Sequence, residues 1–385
     1  MKSIGIQTFS VSLRNNTKKH FLLVFCLFTF VLSSLMARPA TEQDYLRQPA
    51  KQTVSGAITN VDRYGNVATD ITGAALAGAG FELGDMVRLV SGIFNGETPM
   101  VTTYADVQRG NPLVRVNNGF LELSISYGNF AQTNGVSVGT PVTVTMVNKG
   151  AYKAELEIRN LTRTQERADY ASDAVFANFR EARLGTIRAN LLYRSCHPAL
   201  GDARAPYAAL LGEQARIVTV INLADTPQEL VERGASVPWY QTFITNGNII
   251  ALGMGVDYKN PDFAAKLKTG LEFMLTRSGP FLVHCNEGKD RAGVVAALLG
   301  ALMGASTEQI VEDYMLSYEN YYGVTRGEER YTLISSIMRD ILKDFNEGVM
   351  PGPGETVGAA EKYLRGVIGF TPAQISSLKL KLAGN

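Results

Sequence analysis

The chain has 385 residues, 45% hydrophobic and 19% charged, which excludes a disordered or collagen-like polymer and predicts two or three domains at roughly 150 residues each. With 37 Lys+Arg against 36 Asp+Glu the formal charge is +1, so no global field draws the chain to nucleic acid or to an anionic membrane. Three Cys and three His are too few for a disulfide framework or for a zinc site of ordinary Cys/His count.

At the start, Arg14, Lys18 and Lys19 precede an apolar run from Phe21 to Leu32 that ends in Ser33, Ser34 and Ala37. This is the pattern of an export signal over residues 1–37. The run is shorter than the ~20 residues needed to span a bilayer. Cys26 follows the bulky Phe25, where a lipoprotein signal wants a small residue. A periplasmic or secreted protein without a stable membrane anchor is therefore expected, its mature cysteines being Cys196 and Cys285.

After a linker over 38–53, residues 54–148 show short alternating runs cut by Gly, Asn and Asp, as in MVRLV (86–90), PLVRV (112–116), FLELSIS (120–126) and PVTVTMV (141–147). Period-two alternation with such punctuation predicts a small all-β barrel or sandwich. Asp62, Gly65 and Asn66 read as a tight turn between strands, because Gly and Asn tolerate positive φ. The segments 56–71, 104–107 and 120–144 resemble the C-terminal β-domain of the SAM hydroxide adenosyltransferase and fluorinase family. There the domain completes a nucleoside site built mainly by a preceding α/β domain that this chain lacks, so the activity does not carry over. A ligand-binding or trimer-forming role stays open.

Residues 149–180, with mixed charges at helical spacing from 153 onward, are expected as a helical linker. Strands and helices then alternate over 181–385, which predicts an α/β fold with a mostly parallel central sheet flanked by helices. The strands are 191–194, 217–223 and 280–285; the helices include 205–211, 261–275 and 294–304. Thr226 with Glu229, and Thr371 with Pro372 and Gln374, are helix starts of the capping-box type.

His284, Cys285, Asn286, Glu287, Gly288, Lys289, Asp290, Arg291, Ala292 and Gly293 follow a buried strand and open an apolar helix. A five-residue loop there can turn successive backbone N–H groups inward as a cradle for a tetrahedral oxyanion at the positive end of the helix dipole. The same field favours a cysteine thiolate, and Arg291 can grip two phosphoryl oxygens as Lys cannot. Attack of Cys285 on phosphorus would give a phosphocysteine that water hydrolyses, with no metal or cofactor.

This stretch closely resembles the signature of the cysteine-dependent tyrosine and dual-specificity phosphatases, in particular the bacterial and lipid-active branch whose loop carries Gly-Lys-Asp-Arg. The segments 191–200, 220–225, 311–318 and 361–382 extend the resemblance. It implies a hydrolase with Cys285 as nucleophile and Arg291 as phosphate clamp, acting on phosphorylated protein or on phosphoinositides or inositol phosphates. His284, Asn286, Glu287, Gly288, Lys289, Ala292, Gly293 and Arg194 are implied around the substrate, His284 by orienting the cysteine and Lys289 as a second cation at the mouth. Most relatives carry Ser or Thr at the position of Ala292, which cannot assist the leaving thiolate. For general acid the resemblance points to Asp290, while Asp257, 28 residues before the cysteine, sits where a movable acid loop is found; Asp262 and Asp225 remain further candidates. Arg194 with Ser195 lies beside the pocket or in a salt bridge, and Trp239 packs in a core or between domains. A different class of function is a catalytically weak binding module that uses the β-domain. Cys196 is expected near the rim that holds Cys285, as a resolving partner for its oxidised form or as a small buried side chain.

Overall fold

The structure, a computed structural model, describes residues 52–384, so the expected export signal over 1–37 and most of the linker after it lie outside the described residues. Among the described residues no helix is long and apolar enough to cross a membrane.

Strands β1 (Thr53–Val61), β2 (Val67–Thr72), β3 (Met86–Ser91), β4 (Phe94–Pro99), β5 (Pro112–Asn117), β6 (Phe120–Ile125) and β7 (Pro141–Asn148) form one sheet in the order β4-β3-β7-β1-β2-β6-β5. Each neighbouring pair is antiparallel, and a bridge between Met100 and Val114 draws the two ends of the sheet together into a nearly closed barrel. The alternation seen in the sequence buries Ile58, Val67, Leu89, Leu123 and Val144 inside it. In the β1–β2 turn, Asp62 Oδ1 accepts from the amides of Tyr64 at 2.8 Å and Asn66 at 2.9 Å, and Gly65 takes φ 81°.

The expected helical linker is only partly helical. Helices cover Lys153–Asn160 and Asp173–Phe176, with a single 3-10 turn at Arg167–Asp169 between them. Side chains hold the intervening backbone instead of a helical ladder: the distant Arg204 donates to the carbonyl of Thr164 at 2.6 Å, and Tyr170 Oη, within the segment itself, donates to the same carbonyl at 2.9 Å.

A second sheet follows in the order β11-β10-β12-β9-β8, built from β8 (Arg180–Glu181), β9 (Leu192–Ser195), β10 (Thr219–Asn222), β11 (Ile249–Ala251) and β12 (Phe281–His284). The pairings β11–β10, β10–β12 and β12–β9 are parallel, and β8 lies antiparallel to β9. Both faces are covered. Leu192, Ile221, Phe281 and Val283 join one core with Leu267, Leu298 and Leu378, while Tyr193, Val220 and Leu282 join another with Ala208, Tyr240 and Phe243. The capping boxes at Thr226 and Thr371 start helices Pro227–Gly234 and Pro372–Ala383. Trp239 packs edge-on against Phe243 in the second core, with ring centroids 4.9 Å apart.

Candidate active site

The chain leaves β12 at His284, passes through residues 285–290 and enters the buried helix Arg291–Leu302. Four successive carbonyls of this loop are tied to donors outside it. The His197 amide donates to Asn286 O at 3.1 Å; Asn178 Nδ2 and Tyr321 Oη donate to Glu287 O at 3.0 and 2.7 Å. Arg194 donates from Nε and Nη2 to Gly288 O at 3.2 and 2.7 Å, and from Nη2 to Lys289 O at 2.9 Å. In a planar trans peptide the next amide points opposite to the carbonyl, so the N–H groups of Glu287, Gly288, Lys289 and Asp290 face the other side. None of those amides has an acceptor among the described residues. Gly288 makes the turn possible, since its φ is 67° and a Cβ there would sit 2.2 Å from Ser195 O.

What holds the bracing arginine is a buried ion triad. Arg194, 1% exposed, and Arg180 both pair with Asp313. Burial opposes the charge on Asp313, yet the two guanidiniums outweigh it and hold its carboxyl below the usual range. Burial pulls Arg180 down to about 10 against the support of Asp313, which still leaves it charged at neutral pH. Of the two readings of Arg194, beside the pocket or in a salt bridge, the structure shows the salt bridge; its remaining donors are spent beneath the loop, because a buried guanidinium must satisfy every N–H within the protein.

Cys285 is 2% exposed and belongs to the core on the side of the Arg291–Leu302 helix. Arg291 donates from Nη1 to Met254 O at 2.8 Å, while its buried Nε has no partner among the described residues. A buried cationic donor left unmatched is costly unless an anion meets it. Amides that converge at a helix start beside such a donor suit a phosphoryl group.

Lys289 is not a solvated loop charge: it lines the cavity beside Asp290 and is 5% exposed, with Nζ 3.3 Å from Glu287, 3.9 Å from Asp290 and 4.9 Å from the ring of Tyr318. Burial disfavours its charge, but Asp290 and Glu287 more than compensate and push its pKa up. Glu287 is bound on its other side by Arg163. Ala292 and Gly293 are buried in the first turn of the helix, where a Cβ at Gly293 would approach Arg194 Nη2 to 3.1 Å. Asn286 is exposed. His284 lies under the loop rather than around a substrate. It is fully buried, its Nε2 meets Tyr240 Oη at 2.8 Å, and burial drives its pKa well down, so the imidazole is neutral.

The four acid candidates sit in different surroundings. Asp290, its side chain 47% exposed, lines a cavity of about 260 Å³ with Val256, Tyr258 and Tyr314. Desolvation first, and the charge of Glu287 next, raise its carboxyl above the usual range despite Lys289 and Arg291. Asp257 is exposed, and its Oδ1 accepts from the Lys259 amide of its own turn at 3.0 Å. Asp262 lies in the first turn of the Pro261–Thr276 helix, its amide donating to the capping Asn260 at 2.9 Å. Asp225 is fully buried and accepts from His197 Nε2 at 2.7 Å and Asn222 Nδ2 at 2.8 Å; burial opposes this, but those donors hold its carboxyl down to about 2. A permanently ionised, enclosed carboxylate has no proton to give.

Cys196 and Cys285 are both free. They pack into different cores, Cys196 with Ala177, Tyr193 and Ala208, and burial pushes the Cys196 thiol well up. The residues that sequence reasoning missed are Asp313, Arg180, Arg163, Asn178 and Tyr321, which brace the loop, and Glu155, which faces the cavity. Only Asp313 carried a signal, from its place in the segment 311–318.

Residues 176–384 match the tyrosine phosphatase family, and residues 56–143 match the SAM hydroxide adenosyltransferase C-terminal domain. With more than half of its length in that match, the chain belongs to the tyrosine phosphatase family. Among solved structures, an uncharacterized conserved protein from Thermotoga maritima is 27% identical over 25% of this chain and 36% of that chain, with a TM-score of 0.24. A conserved hypothetical protein from Thermus thermophilus is 23% identical over 24% and 34%, with a TM-score of 0.20; this chain thus spans about a third of the length of either (36% and 34%). The core catalytic domain of PP-IP phosphatase SIW14 from S. cerevisiae is 21% identical over 44% of this chain and 88% of that one, with a TM-score of 0.28. No curated protein matches the chain.

Proposed function

We propose that this protein hydrolyses phosphate monoesters, foremost phosphotyrosine in protein substrates, through a phosphocysteine at Cys285, in an exported compartment. The observation that carries the reading is the set of amides from Glu287 to Asp290 turned to one side by the outward-tied carbonyls, together with the unmatched Nε of Arg291. The Cys285 thiolate attacks phosphorus, so that an S–P bond forms as the ester O–P bond breaks. Asp290, with its raised pKa, gives its proton to the departing oxygen. Water then attacks the phosphocysteine, the S–P bond breaks, and inorganic phosphate leaves as Asp290 recovers a proton from that water. Through both steps the amides and Arg291 hold the equatorial oxygens, where donors placed in advance cost no reorganisation.

The full chain should hydrolyse p-nitrophenyl phosphate in the presence of a chelator, and Cys285→Ser should lower kcat by at least about 10³-fold, as removal of a nucleophile does. Activity retained in Cys285→Ser would overturn the assignment.

A further inference from the structure

The cavity beside Asp290 is not built by the phosphatase segment alone. Of its lining, Gln108 comes from the loop before β5 and Glu155 and Ile158 come from the Lys153–Asn160 helix. All three lie outside what the phosphatase match covers, 176–384, and Glu155 and Ile158 lie outside the β-domain match as well, 56–143. The rest of the wall is largely apolar or aromatic, with Tyr258 and Ile337 among its members. Tyr258 is fixed there by a 2.5 Å hydrogen bond to Asp344.

We propose that Glu155 sets the substrate class of this site: the leaving alcohol lies in this cavity, and the Glu155 carboxylate selects monoesters whose alcohol portion is uncharged or cationic over polyphosphorylated ones. The proposal rests on the reading above, in which Asp290 protonates the leaving oxygen, since whatever touches Asp290 must occupy the space it lines. Three further observations carry it. At about 260 Å³ the cavity is smaller than the roughly 300 Å³ at which pockets for drug-sized ligands begin, which suits a single ring and not a ring bearing several phosphates. Lys289 is the sole cation on the lining among the described residues, and its charge is already matched by Glu287 and Asp290. Glu155 itself is partly desolvated, and the charge of Asp290 acts on it as a like charge, with Arg159 and Lys289 in opposition. A second phosphate there would meet the Glu155 carboxylate and apolar side chains, and like-charge juxtaposition is a strong form of discrimination. An aromatic leaving group would meet Tyr258 and Ile158.

The test compares kcat/KM for O-phosphotyrosine and for myo-inositol hexakisphosphate in the full chain, in Glu155→Lys and in Glu155→Gln. The wild-type protein should favour phosphotyrosine by at least about 100-fold, and Glu155→Lys should shrink that ratio at least about tenfold, with Glu155→Gln moving it in the same direction by less. Glu155→Gln keeps the shape of the side chain and carries the test should Glu155→Lys fail to fold. A wild-type preference for the hexakisphosphate, or a ratio that stays within about twofold in both variants, would overturn the proposal. Failure of the underlying reading has separate signatures, namely undiminished turnover of both probes by Cys285→Ser, or equal slowing of poor and activated leaving groups by Asp290→Asn.

Discussion

Asp62 and Glu122 in the barrel and Asp313 in the phosphatase segment are held by two different strategies. Asp62 is satisfied by Tyr64 and Asn66 of its own turn, and Glu122 by Arg115 on the neighbouring strand at 2.8 Å, Asn117 at 2.7 Å and Tyr104 at 2.8 Å. Asp313 instead gathers Arg194 and Arg180, 119 and 133 residues away along the chain, and Arg194 reaches 94 residues forward to the loop. Local pairing closes turns and strands, so its loss is absorbed locally. Long-range pairing fixes the carbonyl directions of a loop that makes no regular structure of its own, which is what an oxyanion cradle needs.

The sharpest way to break this contrast is Asp313→Asn. Two buried guanidiniums would lose their counter-charge, and removing one partner of a buried ion pair costs about 3–5 kcal/mol. Denaturant unfolding should show that loss, and hydrolysis should fall with it because Arg194 no longer holds Gly288 and Lys289. Wild-type stability in this variant would remove the triad from the account of the loop.

Next comes Arg291→Lys. The charge stays, but the planar pair of donors is lost; kcat should drop by about 10²-fold or more, the scale of one transition-state donor, while thermal unfolding changes little. Near-wild-type turnover would show that charge alone suffices there.

Asp290→Asn sharpens the acid assignment. Esters with poor leaving groups should slow by about 10²–10⁴-fold, the usual worth of general acid catalysis, and activated aryl esters far less; equal slowing of both would make Asp290 a brace. The same substitution at Asp257 should leave that comparison unmoved. Stability should respond with the opposite sign. The folded-state pKa of Asp290 is raised, so its contribution is present below the unfolded carboxylate pKa and is lost as pH rises through the folded value. Above that window Asp290→Asn should unfold at a higher denaturant concentration than wild type, with the gain absent at low pH.

The smallest effect belongs to the barrel. Burial slightly opposes ionisation of Asp62, but bonds from Asn66, Tyr64 and Gly65 hold its pKa below the usual value. Its contribution is therefore present above the unfolded pKa and fades as pH falls through the folded one. Asp62→Ala should cost about 1 kcal/mol at pH 7, the scale of a lost turn or cap bond, and leave kcat on aryl phosphates unchanged. A large catalytic effect would mean that the barrel's turn communicates with the loop.

Much of this molecule was legible before any coordinates. Period-two alternation located β3, β5, β6 and β7, because a strand exposes its faces residue by residue. Thr226 and Thr371 announced their helices through side chains that bond within three residues, and Cys285, Gly288 and Arg291 announced the loop because its chemistry is contained in one short stretch. Each of these is decided by neighbours along the chain. The linker over 149–180 read as helix from its charge spacing, but its stretch around Thr164 is held by Arg204, 40 residues further on. Arg194 could have faced a substrate or a salt bridge, and only the arrival of Asp313 from a distant helix settled which. Asp290 was put forward by resemblance and Asp257 by its spacing from the cysteine; only the folded chain shows that Asp290 lines a cavity whose wall is completed by Glu155 from outside either family match. Residue types and local order were determined by the sequence. Which charged groups meet in the interior was decided by tertiary structure, since desolvation makes those pairings strong only after the chain has closed around them.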